Sequence, residues 1–152
     1  MRIVRETLAL AGLVFQIAVV RYFWNQMPQR VPTHFGANGL ADGYGDKSEL
    51  LIEPVIAFFL YGMVTALSFF PQSFNYPVAV TDKNRARLQG ISVGMLGWLK
   101  AELTWTFAYV AWGSVRAAAG RSNGLSIAFL PVMLAITGIT IVWAILLMRR
   151  ES

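Results

Sequence analysis

The chain has 152 residues, of which 56% are hydrophobic and 14% are charged, and its formal net charge is +5. This small share of charged residues cannot cover the surface of a soluble globular protein. The composition therefore indicates a membrane protein. The 13 basic residues are scattered between apolar runs, a pattern that argues against a nucleic-acid partner. With no cysteine present, disulfides, zinc–thiolate sites and thiol catalysis are excluded.

Four segments are long and apolar enough to cross a hydrocarbon core, which requires about 20 helical residues. They are Thr7–Trp24, Leu50–Phe70, Leu88–Trp112 and Leu125–Met148. The connections between them are short, and no internal repeat is visible. We therefore predict an all-α fold, an integral membrane four-helix bundle that forms a single domain over residues 1–152.

The distribution of basic residues predicts the orientation of this bundle. Seven Lys or Arg residues lie at the N-terminus, in the second connection and at the C-terminus, whereas four lie in the first and third connections. Because cytoplasmic segments are enriched in Lys and Arg, both termini are expected in the cytoplasm. The first connection is then extracytoplasmic.

The first connection, residues 27–47, is polar and rich in turn residues. Pro28 and Pro32 restrict the backbone and predict an extended arm after the first helix. Asn38-Gly39 and Asp42-Gly43 are strong turn dipeptides. We therefore expect an ordered loop that caps the bundle and offers a recognition surface.

A recurring order of residues runs through this loop. The positions are Pro28, Val31, Pro32, His34, Phe35, Gly39, Asp42, Tyr44, Gly45 and Lys47. Their order resembles the N-terminal domain of unknown function of bacterial Sdp-toxin immunity proteins, in which Pro-x-x-(Ile/Val)-Pro-x-His-(Phe/Trp) precedes Gly, Asp, an aromatic residue and Lys. The resemblance implies a multi-pass protein of the bacterial cytoplasmic membrane with an immunity- or sensor-like role, and it marks these residues as candidates for partner binding.

His34 is the only histidine. With Asp42, Asp46 and Glu49 it could form a metal site, but these residues lack tight ligand spacing. The alternative, which we favour, is a hydrogen bond between His34 and Asp42 within the loop. Asp46 and Glu49 also have the spacing of a capping box at the start of the second helix. We expect no bound metal or other cofactor.

Two charged residues fall inside the third apolar segment. Lys100 and Glu102 each cost about 2.5 to 3.5 kcal/mol at the centre of a bilayer, so both are expected to face protein or water. A separation of two residues places them about 200° apart on a helix, which prevents full mutual neutralisation. Glu102 is expected to meet Gln16 of the first helix or a neighbouring subunit, and Lys100 requires a partner of its own.

Three glycines precede this pair. Gly90, Gly94 and Gly97 share the third helix, and the Gly90-x-x-x-Gly94 spacing predicts close approach of another helix backbone. Packing of this kind is expected within the bundle or between copies of the chain.

No catalytic motif is present: the chain lacks a nucleophile elbow, a metalloprotease helix, a phosphate-binding loop and a dinucleotide fingerprint. The leading hypothesis is therefore non-enzymatic binding of a peptide or another membrane protein, with self-association as a further possibility. The alternative is a small proton- or ion-coupled transporter that uses Lys100 and Glu102.

Overall fold

A computed structural model describes residues 2–151. This part of the chain is mostly helical, with long helices α1 (Arg2–Phe23), α2 (Ile52–Leu67), α3 (Arg85–Ala118) and α4 (Phe129–Arg149). Two strands, β1 (Arg30–Phe35) and β2 (Ala41–Asp46), lie between α1 and α2. The prediction of an all-α fold is therefore wrong for the first connection, where backbone hydrogen bonds form an antiparallel hairpin.

Three stretches of the described chain are long and apolar enough to cross a membrane, namely Arg2–Phe23, Lys47–Leu67 and Phe129–Arg149. The second consists of a 3₁₀ turn, Lys47–Leu51, followed by α2. Although α3 has 34 residues, it is not among these stretches, contrary to the expectation of four apolar helices. Lys100 and Glu102 lower its hydropathy, and α3 can carry them because it packs against all three other helices.

Small side chains allow this central packing. Many buried residues of α3 are small, and from Gly97 onward they recur at intervals of three or four: Gly97, Ala101, Thr104, Ala108 and Ala111, with Ser92 before them. α1 approaches α3 closely at Gly12, where an added Cβ would lie 2.7 Å from Oγ1 of Thr104. Glycine at this position therefore allows α1 to lie directly against α3.

The helix boundaries differ from the predicted ones for identifiable reasons. α2 ends at Leu67, before the predicted Phe70, because Pro71 follows and Phe70 has left the helical region, with φ −120° and ψ 49°. α4 begins at Phe129, after the predicted Leu125, and its Pro131 falls in the first turn, where no backbone N–H is required. α3 extends beyond both predicted ends.

The hairpin packs on one end of the helices through a hydrophobic cluster. Val31 of β1 is fully buried there, and Leu50, from the turn before α2, lies in the same cluster. The other buried members come from α1, its C-terminal extension and α3: Val20, Met27, Ala111 and Val115. The first connection is consequently part of the folded core.

The opposite end contains both described chain ends. There Leu88 of α3 packs with Ala144 and Met148 of α4. Asn84, which precedes α3, donates hydrogen bonds to the carbonyl oxygens of Ala79 at 3.0 Å and Glu151 at 2.9 Å. These contacts join the connection before α3 to the end of α4.

Candidate functional site

The hairpin is held by the connection between α3 and α4. The backbone N–H of Leu125 donates to the carbonyl oxygen of Gly39 at 2.8 Å, and Leu40 forms a β-bridge with Gly124. Gly39 has φ +80°, a conformation that favours glycine, and an added Cβ would collide with the Leu125 carbonyl oxygen. Two connections distant in sequence thus form one surface, which we call the hairpin surface (residues 28–47 and 121–126).

A capping box holds the other side of the hairpin. The Asp46 carboxylate accepts from the Ser48 backbone N–H at 2.8 Å, while the Glu49 carboxylate accepts from the Asp46 backbone N–H at 3.0 Å. This confirms the predicted capping box, at the 3₁₀ turn that leads into α2. The hydrogen bond from the Ser48 backbone keeps the pKa of Asp46 below its usual value, because it favours the ionised carboxylate.

The centre of the hairpin presents a polar pair to solvent. His34 Nδ1 and Asp42 Oδ1 lie 2.5 Å apart, which confirms the predicted hydrogen bond within the loop. Their side chains are 73% and 54% exposed. No three His, Asp or Glu side chains of residues 2–151 converge on a possible metal position. The four residues of the alternative metal site are not brought together, since Asp46 and Glu49 bond in the capping box while His34 bonds to Asp42.

Beside this pair, the hairpin and the helices enclose a cleft of about 490 Å³. His34, Phe35 and the turn after β1 line one side. Val110 of α3 and Leu125, Phe129 and Leu130 line the other. We call this space the hairpin cleft. Its mostly apolar wall and polar rim resemble the general character of ligand pockets, which fix an apolar group with a few polar contacts.

The predicted partner-binding residues divide by exposure. Pro28, His34, Asp42 and Tyr44 are exposed, and Phe35, Gly45 and Lys47 are partly buried. Val31, Pro32 and Gly39 are buried and hold the hairpin in place, and partner binding by the predicted set stays a prediction.

Lys47 also has a structural contact. Its ammonium lies 3.4 Å from the carbonyl oxygen of Trp24 and 5.1 Å from the centre of the Trp24 ring. Lys47 therefore connects the start of the α2 stretch to the end of α1, and its charge is only partly available to a partner.

Inside the helical region, Lys100 has a complete set of partners. Its ammonium lies 2.8 and 2.7 Å from the two carboxylate oxygens of Glu6 and 3.0 Å from Oγ1 of Thr65. The Tyr61 hydroxyl donates to Glu6 at 3.0 Å, and the Lys100 ammonium lies 4.5 Å from the Tyr61 ring centre. This group joins α1, α2 and α3 and supplies the partner that the sequence required for Lys100.

Glu102 faces a different helix. Thr137 and Thr140 of α4 donate to its carboxylate at 3.0 and 2.5 Å. The predicted contact with Gln16 is wrong, because Glu102 projects toward α4, whereas Gln16 is buried and its side-chain amide has no hydrogen-bond partner among residues 2–151. The two charged residues of α3 therefore serve separate helix contacts.

The three glycines singled out on α3 differ in what lies beside them. Among the described residues, an added Cβ at Gly90 would meet nothing within 4 Å, whereas at Gly94 and Gly97 its nearest neighbours are side-chain atoms of Arg5, including the Arg5 Cβ at 3.5 Å from Gly97. Within one chain, close packing of α1 on α3 is made at Gly97 and at the contact of Gly12 with Thr104, and packing at Gly90 and Gly94 stays a prediction for contacts between copies of the chain.

Several partners were missed by sequence reasoning. Glu6 lay just outside the predicted first helix, and the polar residues that bond the α3 charges on α2 and α4 are Tyr61, Thr65, Thr137 and Thr140. The sequence did contain a signal for these partners. They are polar residues within apolar helices, where polar side chains usually hydrogen-bond to another helix.

Comparison with known proteins gives a partial match. A model for a domain of unknown function, DUF1648, matches residues 11–58, which cover most of α1, the hairpin and the start of α2. An uncharacterized protein of Archaeoglobus fulgidus is 36% identical over 83 residues, which represent 49% of this chain and 44% of that protein. The chain thus spans less than half of the length of this relative. No solved structure matches.

Together, these observations define a mostly helical protein with three candidate membrane helices and a DUF1648-like N-terminal region. The predicted likeness to a domain of unknown function is confirmed at this level. The match names no activity.

Proposed function

We propose that this chain is a non-enzymatic integral membrane binding protein that recognises a peptide or another membrane protein through its hairpin surface. The observation that carries the proposal is a firmly held hairpin with exposed recognition groups. Val31 and the Gly39–Leu125 hydrogen bond fix the backbone, while His34 and Asp42 remain exposed beside the hairpin cleft. A surface ordered before binding loses less entropy when a partner docks.

The hairpin surface offers the proposed partner both apolar and polar contacts. The hairpin cleft accepts an apolar side chain of the partner between Phe35 and Phe129. The His34–Asp42 pair at its rim offers hydrogen bonds and a carboxylate, and Tyr44, which is 54% exposed, adds an aromatic contact on the hairpin. This combination favours an accessory subunit or an immunity- or sensor-like protein whose partner inserts an apolar residue beside a polar segment.

In this proposal the protein is a multi-pass protein of the bacterial cytoplasmic membrane, with α3 as a fourth crossing. Both termini lie in the cytoplasm, as the Lys and Arg distribution supports. The hairpin surface is then extracytoplasmic, and its partner is a secreted peptide or the outer part of another membrane protein.

The test is stoichiometric co-purification from native membranes in mild detergent, followed by mass spectrometry. The full chain is compared with His34→Ala, Asp42→Ala and the control Lys83→Gln, an exposed residue of the α2–α3 connection. We expect one protein to co-purify at a constant ratio with the parent chain and with the control. Both hairpin variants should lose that protein although they are present in the membrane in the same amount as the parent chain. Equal recovery of the same partner with all four chains would refute the proposal, as would recovery of every chain alone.

A second candidate function is proton- or ion-coupled transport through Lys100 and Glu102. It is supported by the small opening beside Lys100, which is lined by Arg2, Arg5 and Ser68. The geometry favours it less than binding, because the two charged groups bond to different helices. This candidate predicts ion-dependent flux in liposomes that disappears in Glu102→Gln, and absence of flux from the folded parent chain would reject it.

A further inference from the structure

A second cleft lies at the opposite end of the molecule from the hairpin. It runs between α3 and α4 and has a volume of about 540 Å³. Its walls are apolar and come from Ile91 and Met95 on α3 and from Ile139, Trp143 and Leu147 on α4. We call it the basic groove, because Arg5 and Arg87 also line it.

Glycine opens the floor of this groove. Gly90 and Gly94 line it, and an added Cβ at Gly90 would meet no atom within 4 Å. The space beside α3 therefore reaches its backbone. A long, thin apolar group fits such a channel, since helical surfaces with larger side chains would narrow it.

Arg5 gives the groove an unneutralised charge. Its guanidinium lies across Gly94 and Gly97, with Nη1 3.1 Å from the Cβ position of Gly94. Among residues 2–151, Arg5 has no ion pair or hydrogen bond, because Glu6, the adjacent carboxylate, bonds to Lys100. A partly buried guanidinium in an apolar setting favours an anionic ligand.

The other charged residues at this end of the groove are, like Arg5, mainly basic. Arg87 lines the groove and bonds to Glu151 through an Nε–Oε1 distance of 2.9 Å, while its side chain stays 74% exposed. Thr140 also lines the groove, and it and Thr137 donate to the Glu102 carboxylate. Arg149 and Arg150 end α4 at the same end of the molecule. The mouth of the groove is therefore basic overall and its interior apolar.

We propose that the basic groove binds one anionic phospholipid, with an acyl chain between α3 and α4 and the headgroup phosphate on Arg5 and Arg87. Charge complementarity selects this occupant, since basic pockets between membrane helices bind anionic headgroups. Trp98 and Trp143, which also line the groove, are 42% and 65% exposed. Such aromatic side chains are frequent near membrane interfaces, where headgroup and acyl chain meet.

The experiment uses the full chain, delipidated in detergent and titrated with phosphatidylglycerol, phosphatidylcholine or inorganic phosphate, with bound lipid counted by native mass spectrometry. We expect one phosphatidylglycerol to bind with clear preference over phosphatidylcholine. Inorganic phosphate is expected to leave the lipid-bound fraction unchanged, since the acyl chain supplies part of the affinity. Equal binding of the two lipids, or displacement by inorganic phosphate, would overturn the proposal.

Two variants locate the site. Arg5→Gln should weaken phosphatidylglycerol binding about fivefold, the contribution of one basic residue near an anionic lipid. Gly90→Leu places a large side chain in the groove from a Cβ position that meets nothing within 4 Å, so binding should fall while thermal stability is retained. Matched controls are Arg85→Gln, a basic residue at the same end that bonds to Asp82, and Gly138→Leu, an open glycine on α4. Binding unchanged by Gly90→Leu, or reduced equally by the controls, would refute the assignment.

Discussion

The ammonium of Lys100 lies 2.7 Å from the Glu6 carboxylate, although 94 residues separate the two along the chain. Their exposures differ, since the Lys100 side chain is 3% exposed and the Glu6 side chain is 34% exposed. The pair joins the start of α1 to the middle of α3. Its two members therefore respond differently to removal of their partner.

We predict that Glu6→Ala destabilises the protein more than Lys100→Met. The first change leaves a buried ammonium without its counter-ion, at a cost of about 3 kcal/mol, whereas the second leaves a partly buried carboxylate that keeps the hydrogen bond from Tyr61. Thermal unfolding in detergent measures both variants, and the double variant should recover part of the loss. Additive losses in the double variant would show that the pair is not coupled.

The contact between Gly12 and Thr104 predicts a steric effect. Gly12→Ala places a Cβ 2.7 Å from Oγ1 of Thr104 and should lower stability by about 1 to 3 kcal/mol through overpacking. Gly138→Ala is the control, because its Cβ meets nothing within 4 Å and alanine favours the helix. Thermal unfolding compares the two variants. Equal stability of both would contradict direct packing of α1 on α3.

The capping box predicts a pH dependence. Because folding lowers the pKa of Asp46 from its ordinary value of 3.8, the carboxylate stabilises the fold above that value. This contribution is lost as the pH falls below 3.8 and through the lower pKa of the folded state. In Asp46→Asn, which keeps an acceptor for the Ser48 N–H, the loss of stability between pH 5 and pH 2 should be smaller. Thermal unfolding at each pH tests this, and parallel curves would contradict it.

The proposed orientation can be tested by labelling, since the chain has no cysteine. Single cysteines replace Asn38 in the hairpin turn, Arg121 after α3 and Gln72 before α3, which are all exposed positions. A membrane-impermeant thiol reagent added to intact cells should label positions 38 and 121 and leave 72 unlabelled until the cells are opened. Labelling of position 72 in intact cells would reject cytoplasmic termini.

The helical part of the fold was accessible from the sequence because each apolar segment has the length that a membrane crossing requires. The capping box was also accessible, since Asp46 and Glu49 interact over three residues. The hairpin was missed because the strand ADGYGD contains little that favours a strand by itself. Its pairing with β1 and its contact with the α3–α4 connection overcome that weak local preference.

In the candidate site, too, some features were predictable from the sequence and others were not. His34 and Asp42 were correctly paired from the sequence, since they lie eight residues apart in one loop. The hairpin cleft was not predictable, because Phe35 and Phe129 line one space only after the hairpin has packed beside α3 and α4. The partners of Lys100 and Glu102 were inaccessible for the same reason, since helix rotation determines which side chains face each other.

By itself, the sequence determined the mostly apolar helical character of this protein, its polar first connection and the local hydrogen bonds of that connection. These properties depend on composition and on residues close together in the chain. Only the tertiary structure decided that Glu6 neutralises Lys100, that Glu102 faces α4 and that Arg5 lies over the glycines of α3. Those contacts depend on the rotation and relative depth of separate helices, which local sequence patterns do not specify.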